Sequence, residues 1–346
     1  MSLQNASKPR LSNIELLRII AMLLVIVVHC NFFSLGAPTH EEALAEPLPS
    51  FVRFFIQSFS VLCVNVFVLI SGWFGIRPKI KSVAGFIFQC LFFLLGIYLA
   101  LLALGEVALT RKGIAECLLC SQANWFALSY LGLCVVAPLI NTYIEQSSER
   151  ELRTILFWFF LFQTIYGWVN NAASFFVNGY STMSFIGLYM LARYVRLYPN
   201  RFTTRSRFFD LFIFGCIVLF DAMASYLSFR MINFRADVWL FSYISPLIII
   251  SALYLLLLFS KIQMQSKWIN WVAASCFSAY LLHQSPNIAK PYFVSTVQLI
   301  YKDFSGFEVL VVMSLFVIAI FTVSVVLDQV RKVCWSCLLY VARVRK

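Results

Sequence analysis

Apolar residues in this chain run in long stretches broken by short polar and basic segments. A helix rises about 1.5 Å per residue, so about 20 apolar residues cross the hydrocarbon core of a bilayer. Such runs fall at 14–35, 53–76, 83–107, 125–144, 153–171, 182–198, 208–228, 239–260, 268–284 and 307–328. Backbone amides find no water inside lipid, so each run is expected to be a helix, which satisfies its own amides. The pattern predicts an all-α, polytopic integral membrane protein with about ten transmembrane helices. No internal repeat or second domain interrupts it. The expectation is one transmembrane domain over 1–346, with a core at about 11–328 and a short basic tail at 329–346. The tail sequence RKVCWSCLLYVARVRK suits a helix lying at the interface. The first run is too long for a signal peptide, and HCNFFSLGA is a poor cleavage site, so it is read as retained.

Composition and charge refine this picture. The chain is 61% hydrophobic and 12% charged, where a soluble domain has about half and about a quarter. The net charge of +12 does not point to nucleic acid, because the basic residues lie between apolar runs rather than in one block. They read as topology signals and contacts to anionic membrane lipids. With both termini inside, nineteen Lys and Arg fall in inner segments and seven in outer ones. That asymmetry predicts an N-in/C-in orientation. The strongest inner loop is RYVRLYPNRFTTRSR, and the first outer loop, GAPTHEEALAEPLPS, is acidic. Two cysteine pairs have CxxC spacing, Cys117/Cys120 and Cys334/Cys337. The expected topology puts them on opposite faces, and neither has a nearby histidine to complete a site, so no metal is expected.

The candidate chemistry begins in the first run. Arg18 and His29 are eleven residues apart. At about 100° per residue that is three turns plus about 20°, so both point to one face, about 16 Å apart along the axis. The expectation is one long polar slot entered from the cytoplasm. Ionisable groups inside a membrane segment are functional candidates by default. The plainer readings are an Arg18 that snorkels to the interface and a His29 hydrogen-bonded within the core. Ser12-x-x-Glu15 has the form of a capping box. Glu15 also sits one turn before Arg18 and is expected to hold it as an ion pair. Cys30 diverges from His29 by about 100°, which argues against a Cys–His dyad. His29 is better suited to act as a general base on a bound hydroxyl.

Other polar residues carry weaker signals. Asn65 and Ser71 are expected to hydrogen-bond between helices. Asp221, in VLFDAMAS, needs a partner that the sequence does not name. His40 lies in the acidic loop and is expected to be solvated. His283 lies toward the same side as His29, with Tyr280 one turn below. They read either as contacts to an acceptor or, for His283, as an interfacial cap.

These stretches together resemble the acyltransferase 3 family. IELLRIIA followed by His29 is similar to its first-helix pattern, with Glu15 in place of the usual aspartate. VNVFVLISGWFGI, residues 64–76, resembles its second helix. SCFSAYLLHQSP is similar to a further family stretch with a serine, a tyrosine and a late histidine, here Ser275, Tyr280 and His283. The likeness covers about 11–328. It implies a ten-span fold in the bacterial cytoplasmic (inner) membrane, in the form without an added extracytoplasmic domain. It also implies transfer of an acyl group, usually acetyl, from cytoplasmic acetyl-CoA as a substrate rather than a bound cofactor. The acceptor would be a sugar hydroxyl of a surface polysaccharide or its lipid-linked precursor. On this resemblance His29 deprotonates the acceptor, Arg18 orients the donor, and His283 and Tyr280 are possible acceptor contacts. The family often shows paired arginines just inside the second helix. Here the loop reads RPKIKS, so Arg77 matches and Lys79 replaces its partner, losing the bidentate fork. Arg77, Lys79 and Lys81 are the implied ligands for the CoA phosphates; the same cluster also reads as a plain positive-inside signal. The alternative function is an exporter of a glycan or lipid-linked intermediate, with Arg18 and His29 lining its path. Repeats and broken midplane helices would favour that reading. A non-catalytic scaffold in glycan assembly is a further alternative.

Overall fold

A computed structural model describes residues 10–119, 121 and 124–344. Cys120 lies outside the described residues, as do Lys8, Arg345, Lys346 and the side chain of Arg343 among the charges used for orientation. Every regular element among the described residues is helical. α1, Ser12–Val28, runs into a π-helical turn, His29–Phe33. Thr39 and Glu42 form a capping box that starts α2, His40–Ala45. Pro47 opens α3, Pro47–Val61, in the first turn, where its missing N–H costs nothing. Leu62 keeps helical angles and joins α3 to α4, Cys63–Phe74. Then come α5 (Ile80–Ala103), α6 (Arg111–Cys117) and α7 (Trp125–Gln146). A second capping box, Ser148 with Glu151, starts α8, Glu149–Phe162, which continues as a π-turn to Val169. α9 (Thr182–Leu197) and α10 (Arg207–Ile232) follow, the latter ended by Asn233 in the left-handed region. The rest comprises α11 (Asp237–Leu240), α12 (Pro246–Ser260), α13 (Lys267–Ala273), α14 (Phe277–His283), α15 (Pro286–Ile288), α16 (Ser295–Asp303) and α17 (Phe307–Val344).

Seven helices among the described residues are long and apolar enough to cross a membrane: 12–33, 47–74, 80–103, 125–146, 149–169, 207–232 and 307–342. The other three expected runs are helical but shorter. α9 has 16 residues and α12 has 15. The run 268–284 is two helices of 7 residues each, α13 and α14, separated by a turn.

Two expected boundaries are corrected. The second run starts at Pro47 rather than 53, because Arg53, counted as a loop charge, is buried inside the helix. Its guanidinium donates to the Gly36 carbonyl and lies over the Tyr301 ring. The basic tail is not a separate interfacial helix either: α17 runs for 38 residues without a break at 328. Asp328 is fully buried there, paired with Arg331 at 2.8 Å and accepting from Gln89 at 3.0 Å. Seven residues on, Trp335 stacks on Phe88 of α5 at 5.1 Å.

α1 is the central helix, touching α3, α4, α12, α13, α14 and α17. Its first turn is clamped, not capped by its own side chains. Ser12 makes no capping bond, because its hydroxyl donates to Asn270 Oδ1 (2.9 Å) and accepts from the Ser266 amide (2.9 Å). The expected capping box is therefore absent, displaced by a contact from α13. α4 packs backbone to backbone on α9: a Cβ at Gly72 would stand 2.4 Å from the Tyr189 carbonyl oxygen. Such close approach through small residues is how helices associate where lipid supplies no hydrophobic drive. Ser71 meets the Tyr130 hydroxyl of α7 at 3.4 Å, the interhelical contact expected of it, whereas Asn65 donates at 2.8 Å to the Tyr243 carbonyl in the turn between α11 and α12. His40 is not simply solvated: its Nδ1 bonds the Phe229 carbonyl at 2.9 Å and tethers the first loop to α10. Asp221 is fully buried, and neither carboxyl oxygen has a hydrogen-bond partner among the described residues.

Candidate active site

α1 carries polar groups at both ends. Near its start, Arg18 pairs with Glu15 at 2.7 Å, with side-chain exposures of 29% and 9%. The ion pair is the one the i, i+3 spacing anticipates. The helix keeps α geometry through Val28, so the rotation that puts Arg18 and His29 on one face holds. At His29 the winding changes. The π-turn contains Asn31 at φ −92°, ψ −109°, outside helical angles. One side chain takes up a carbonyl of the turn and another ties the turn to α3. Ser34 Oγ donates to the His29 carbonyl at 2.6 Å, and Asn31 Nδ2 donates to the Arg53 carbonyl at 2.8 Å. Such π-turns inside helices recur at functional sites.

α14 delivers His283 to the same place. Its Nε2 lies 2.8 Å from His29 Nδ1, and its Nδ1 faces the Ala279 carbonyl one turn back. His283 is 1% exposed, so it is not an interfacial cap. Phe293 packs on its ring at 5.1 Å and Tyr280 at 6.4 Å. α16 closes over this end, with Gln298 donating to the Ser34 carbonyl at 3.0 Å. Beside the pair lies a cavity of about 30 Å³ lined by Met22, Val25, His29, Trp125, Tyr243 and Tyr280, among others. That is room for a water, whose centre needs about 10–15 Å³.

The expected polar slot between Arg18 and His29 is therefore an apolar one. Positions 18, 22, 25 and 29 share a face of α1, and the middle two are Met22 and Val25. Only its ends are polar.

The basic loop lies at the Arg18 end. Ser71, one turn before the end of α4, bonds Tyr130, which is within electrostatic range of Arg18. The loop follows directly. Arg77 makes an exposed ion pair with Glu145 at 3.6 Å, and Lys79 and Lys81 are exposed. A polar knot holds the loop's start. Tyr189 OH accepts from the Ile76 amide at 2.8 Å and donates to Asn141 Oδ1 at 2.6 Å, while Asn141 Nδ2 donates to the Ile76 carbonyl at 2.8 Å.

Three residues here carry roles that the sequence pattern does not signal. Arg196 donates to the Trp73 carbonyl and lies over the Trp73 and Phe74 rings. The Arg193 guanidinium lies against Gly75, 3.5 Å from where a Cβ would be, and its Nε is buried without a partner among the described residues. From sequence both count only as inner-side charges. Lys332, assigned to the tail, donates to Ser275 Oγ at 2.6 Å. A larger open groove of about 420 Å³, between α8 and α9, lies apart from both ends.

The structure thus brings His29, His283 and Tyr280 together at one end of α1. It collects Arg18, Glu15 and the Arg77–Lys81 loop toward the other. The first group can exchange a proton with a bound hydroxyl; the second can hold an anion. Residues 11–328 match the family model described as an acyltransferase domain, of the acyltransferase 3 type. No curated protein and no solved structure matches the chain. The match, nearly the whole chain long, defines a membrane acyltransferase. The chain belongs to the acyltransferase 3 family. The matched region ends at Asp328, inside α17 rather than at a helix end.

Proposed function

We propose that the protein is an integral-membrane O-acetyltransferase of the bacterial inner membrane. It moves an acetyl group from cytoplasmic acetyl-CoA to a sugar hydroxyl of a surface polysaccharide or its lipid-linked precursor. The observation that carries this reading is His29: an imidazole beside a cavity on the central helix of an acyltransferase-family chain. A hydroxyl is a poor nucleophile until a base takes its proton. His29 removes that proton as the sugar oxygen attacks the thioester carbonyl. The carbon–oxygen bond forms, the carbon–sulfur bond breaks, and the proton returns to the departing CoA thiolate. Arg18, held by Glu15, orients the donor, and Arg77, Lys79 and Lys81 bind its phosphates. The acyl arm then follows the Met22–Val25 face toward His29, and the cavity must widen to admit it. Tyr280, which lines the cavity, flanks the acceptor, and His283 stands behind His29.

The test is His29→Gln, which keeps size and hydrogen bonding but cannot take up a proton. Acetyl transfer from labelled acetyl-CoA, in membranes and normalised to protein level, should fall about 10²–10⁴-fold. Near-normal transfer would remove His29 as the base. Lost glycan export with acetylation unchanged would replace acyl transfer with transport.

A further inference from the structure

Two contacts along α14 and α1 fix which ring nitrogens carry hydrogen. His283 Nδ1 faces the Ala279 carbonyl, which can only accept, so that nitrogen carries a hydrogen. The other nitrogen, Nε2, is 2.8 Å from His29 Nδ1, a distance that requires one donor and one acceptor. If His283 were doubly protonated it would donate here, and a buried imidazolium would need a counter-charge. Among the described residues no carboxylate lies within ion-pair distance of either ring. The immediate neighbours of His283 are aromatic: Tyr280, Phe293 and His29 itself. An unpaired charge buried in such surroundings is costly. His283 is therefore neutral, its Nε2 is bare, and the hydrogen in the contact belongs to His29 Nδ1. His29 Nε2 is then left with its lone pair and with no hydrogen-bond partner among the described residues.

We infer that His283 is a positioning residue, which holds His29 in the tautomer with its hydrogen on Nδ1 and so leaves Nε2 as the nitrogen that accepts the acceptor hydroxyl's proton. The effect on rate rests on the proposed role of His29 as the base; the tautomer itself does not. When His29 takes the proton it becomes an imidazolium. Its Nδ1–H still donates to His283 Nε2, which spreads the new charge without moving a second proton. His283 cannot pass a proton onward, because its Nδ1–H is spent on a backbone carbonyl. The proton stays on His29 and is returned to the leaving thiolate. The fixed orientation is the task a carboxylate performs in hydrolase triads, where leaving the histidine in the wrong tautomer costs about 10⁴-fold. Here a neutral histidine backed by a carbonyl does it, which suits a low-dielectric setting better than a buried charge.

The chain has only 3 histidines, so ¹⁵N-histidine labelling of the full-length protein in lipid bilayers gives a spectrum that single variants of His29, His40 and His283 can assign. The expected result is His29 with hydrogen on Nδ1 and a bare Nε2, and His283 likewise. In His283→Phe the acceptor is lost: His29 should shift toward hydrogen on Nε2, and acetyl transfer should fall about 10²–10⁴-fold. In His283→Gln the amide oxygen replaces Nε2 as acceptor, so the His29 tautomer and much of the rate should return. A wild-type spectrum with hydrogen on His29 Nε2 would overturn the inference. So would a His283→Phe variant that keeps the wild-type His29 tautomer. Because the tautomer is read without turnover, failure here is distinct from failure of the acetyltransferase reading, which His29→Gln tests.

Discussion

The two ends of α1 are built on opposite plans. At the His29 end the functional groups are enclosed. A π-turn, a histidine pair at 2.8 Å, one side-chain bond to a carbonyl of the turn, one from the turn to α3, and the α16 segment leave little freedom. Beyond the largely covered Arg18–Glu15 pair, the basic loop at the Arg18 end is open to solvent, with Arg77 paired at 3.6 Å to Glu145 and both of these side chains largely exposed. On the proposed function, the difference follows from what each end would recognise. A proton transfer depends on direction and distance, so the base must be held by its neighbours. A polyanion is recruited by charge that water and salt can reach, and tolerates a mobile partner.

The largest way to break this contrast is to reverse which side each end faces. The proposed donor route needs the Arg18 end to face the cytoplasm, the side that positive-inside asymmetry predicts. Single cysteines at Glu42→Cys and Thr203→Cys, in a background with Cys216 and Cys337 replaced, would report it through a membrane-impermeant thiol reagent. Labelling in intact cells is expected at position 42 and only after permeabilisation at position 203. Labelling of 203 in intact cells would turn the molecule over and detach the Arg18 end from cytoplasmic acetyl-CoA.

A smaller effect is expected at Arg18 itself. Arg18→Lys keeps the charge and the reach to Glu15 but loses the planar, multi-donor head. If Arg18 directs one charge-assisted hydrogen bond onto the donor, worth about 1.5–3 kcal/mol, transfer should fall about 10–100-fold. An Arg that merely snorkels would lose almost nothing on the same exchange, so full activity in Arg18→Lys would reduce it to a membrane anchor.

How far the sequence reveals these two ends differs as well. Length and apolarity mark the long spans, because lipid imposes both on any spanning helix. Arg18 and His29 are visible because a charge inside an apolar run is expensive, and their shared face is plain helix arithmetic. What the sequence hides depends on contacts far apart in the chain. His29 and His283 are 254 positions apart, and nothing local specifies that they touch. Ser12 satisfies the capping-box pattern, yet its hydroxyl is taken by Ser266 and Asn270 from α13. Arg53 and Asp328 look like markers of a helix end because charges usually are; here each is buried with partners of its own. Arg193 and Arg196 lack any periodic signal, since their role as packing for Gly75 and Trp73 exists only once α9 meets the end of α4.

The smallest expected effect concerns the basic loop, and it also separates the two meanings of Arg77, Lys79 and Lys81. Each side chain is exposed, and exposed charges contribute about 0.2–1 kcal/mol apiece. Neutralising all three with glutamine should therefore raise the donor KM about tenfold. The same variant should leave kcat nearly unchanged, because phosphate binding far from the reacting carbonyl is made equally in ground and transition states. His29→Gln should show the reverse split, a fall in kcat at unaltered donor KM, and the pair of variants would map the contrast between the ends onto two kinetic constants. Ionic strength supplies the internal control. At high salt the Debye length contracts to about 3 Å, so the wild-type KM should rise toward that of the triple variant, which should itself change little. If the cluster serves only to orient the second span, donor KM will not move with the charges or with salt, and the triple variant will instead show altered labelling at position 203 or reduced insertion. Unchanged donor dependence in a correctly inserted protein would take the phosphates away from this loop and leave Arg193, whose Nε beside Gly75 has no partner among the described residues, as the next basic group at that end to examine.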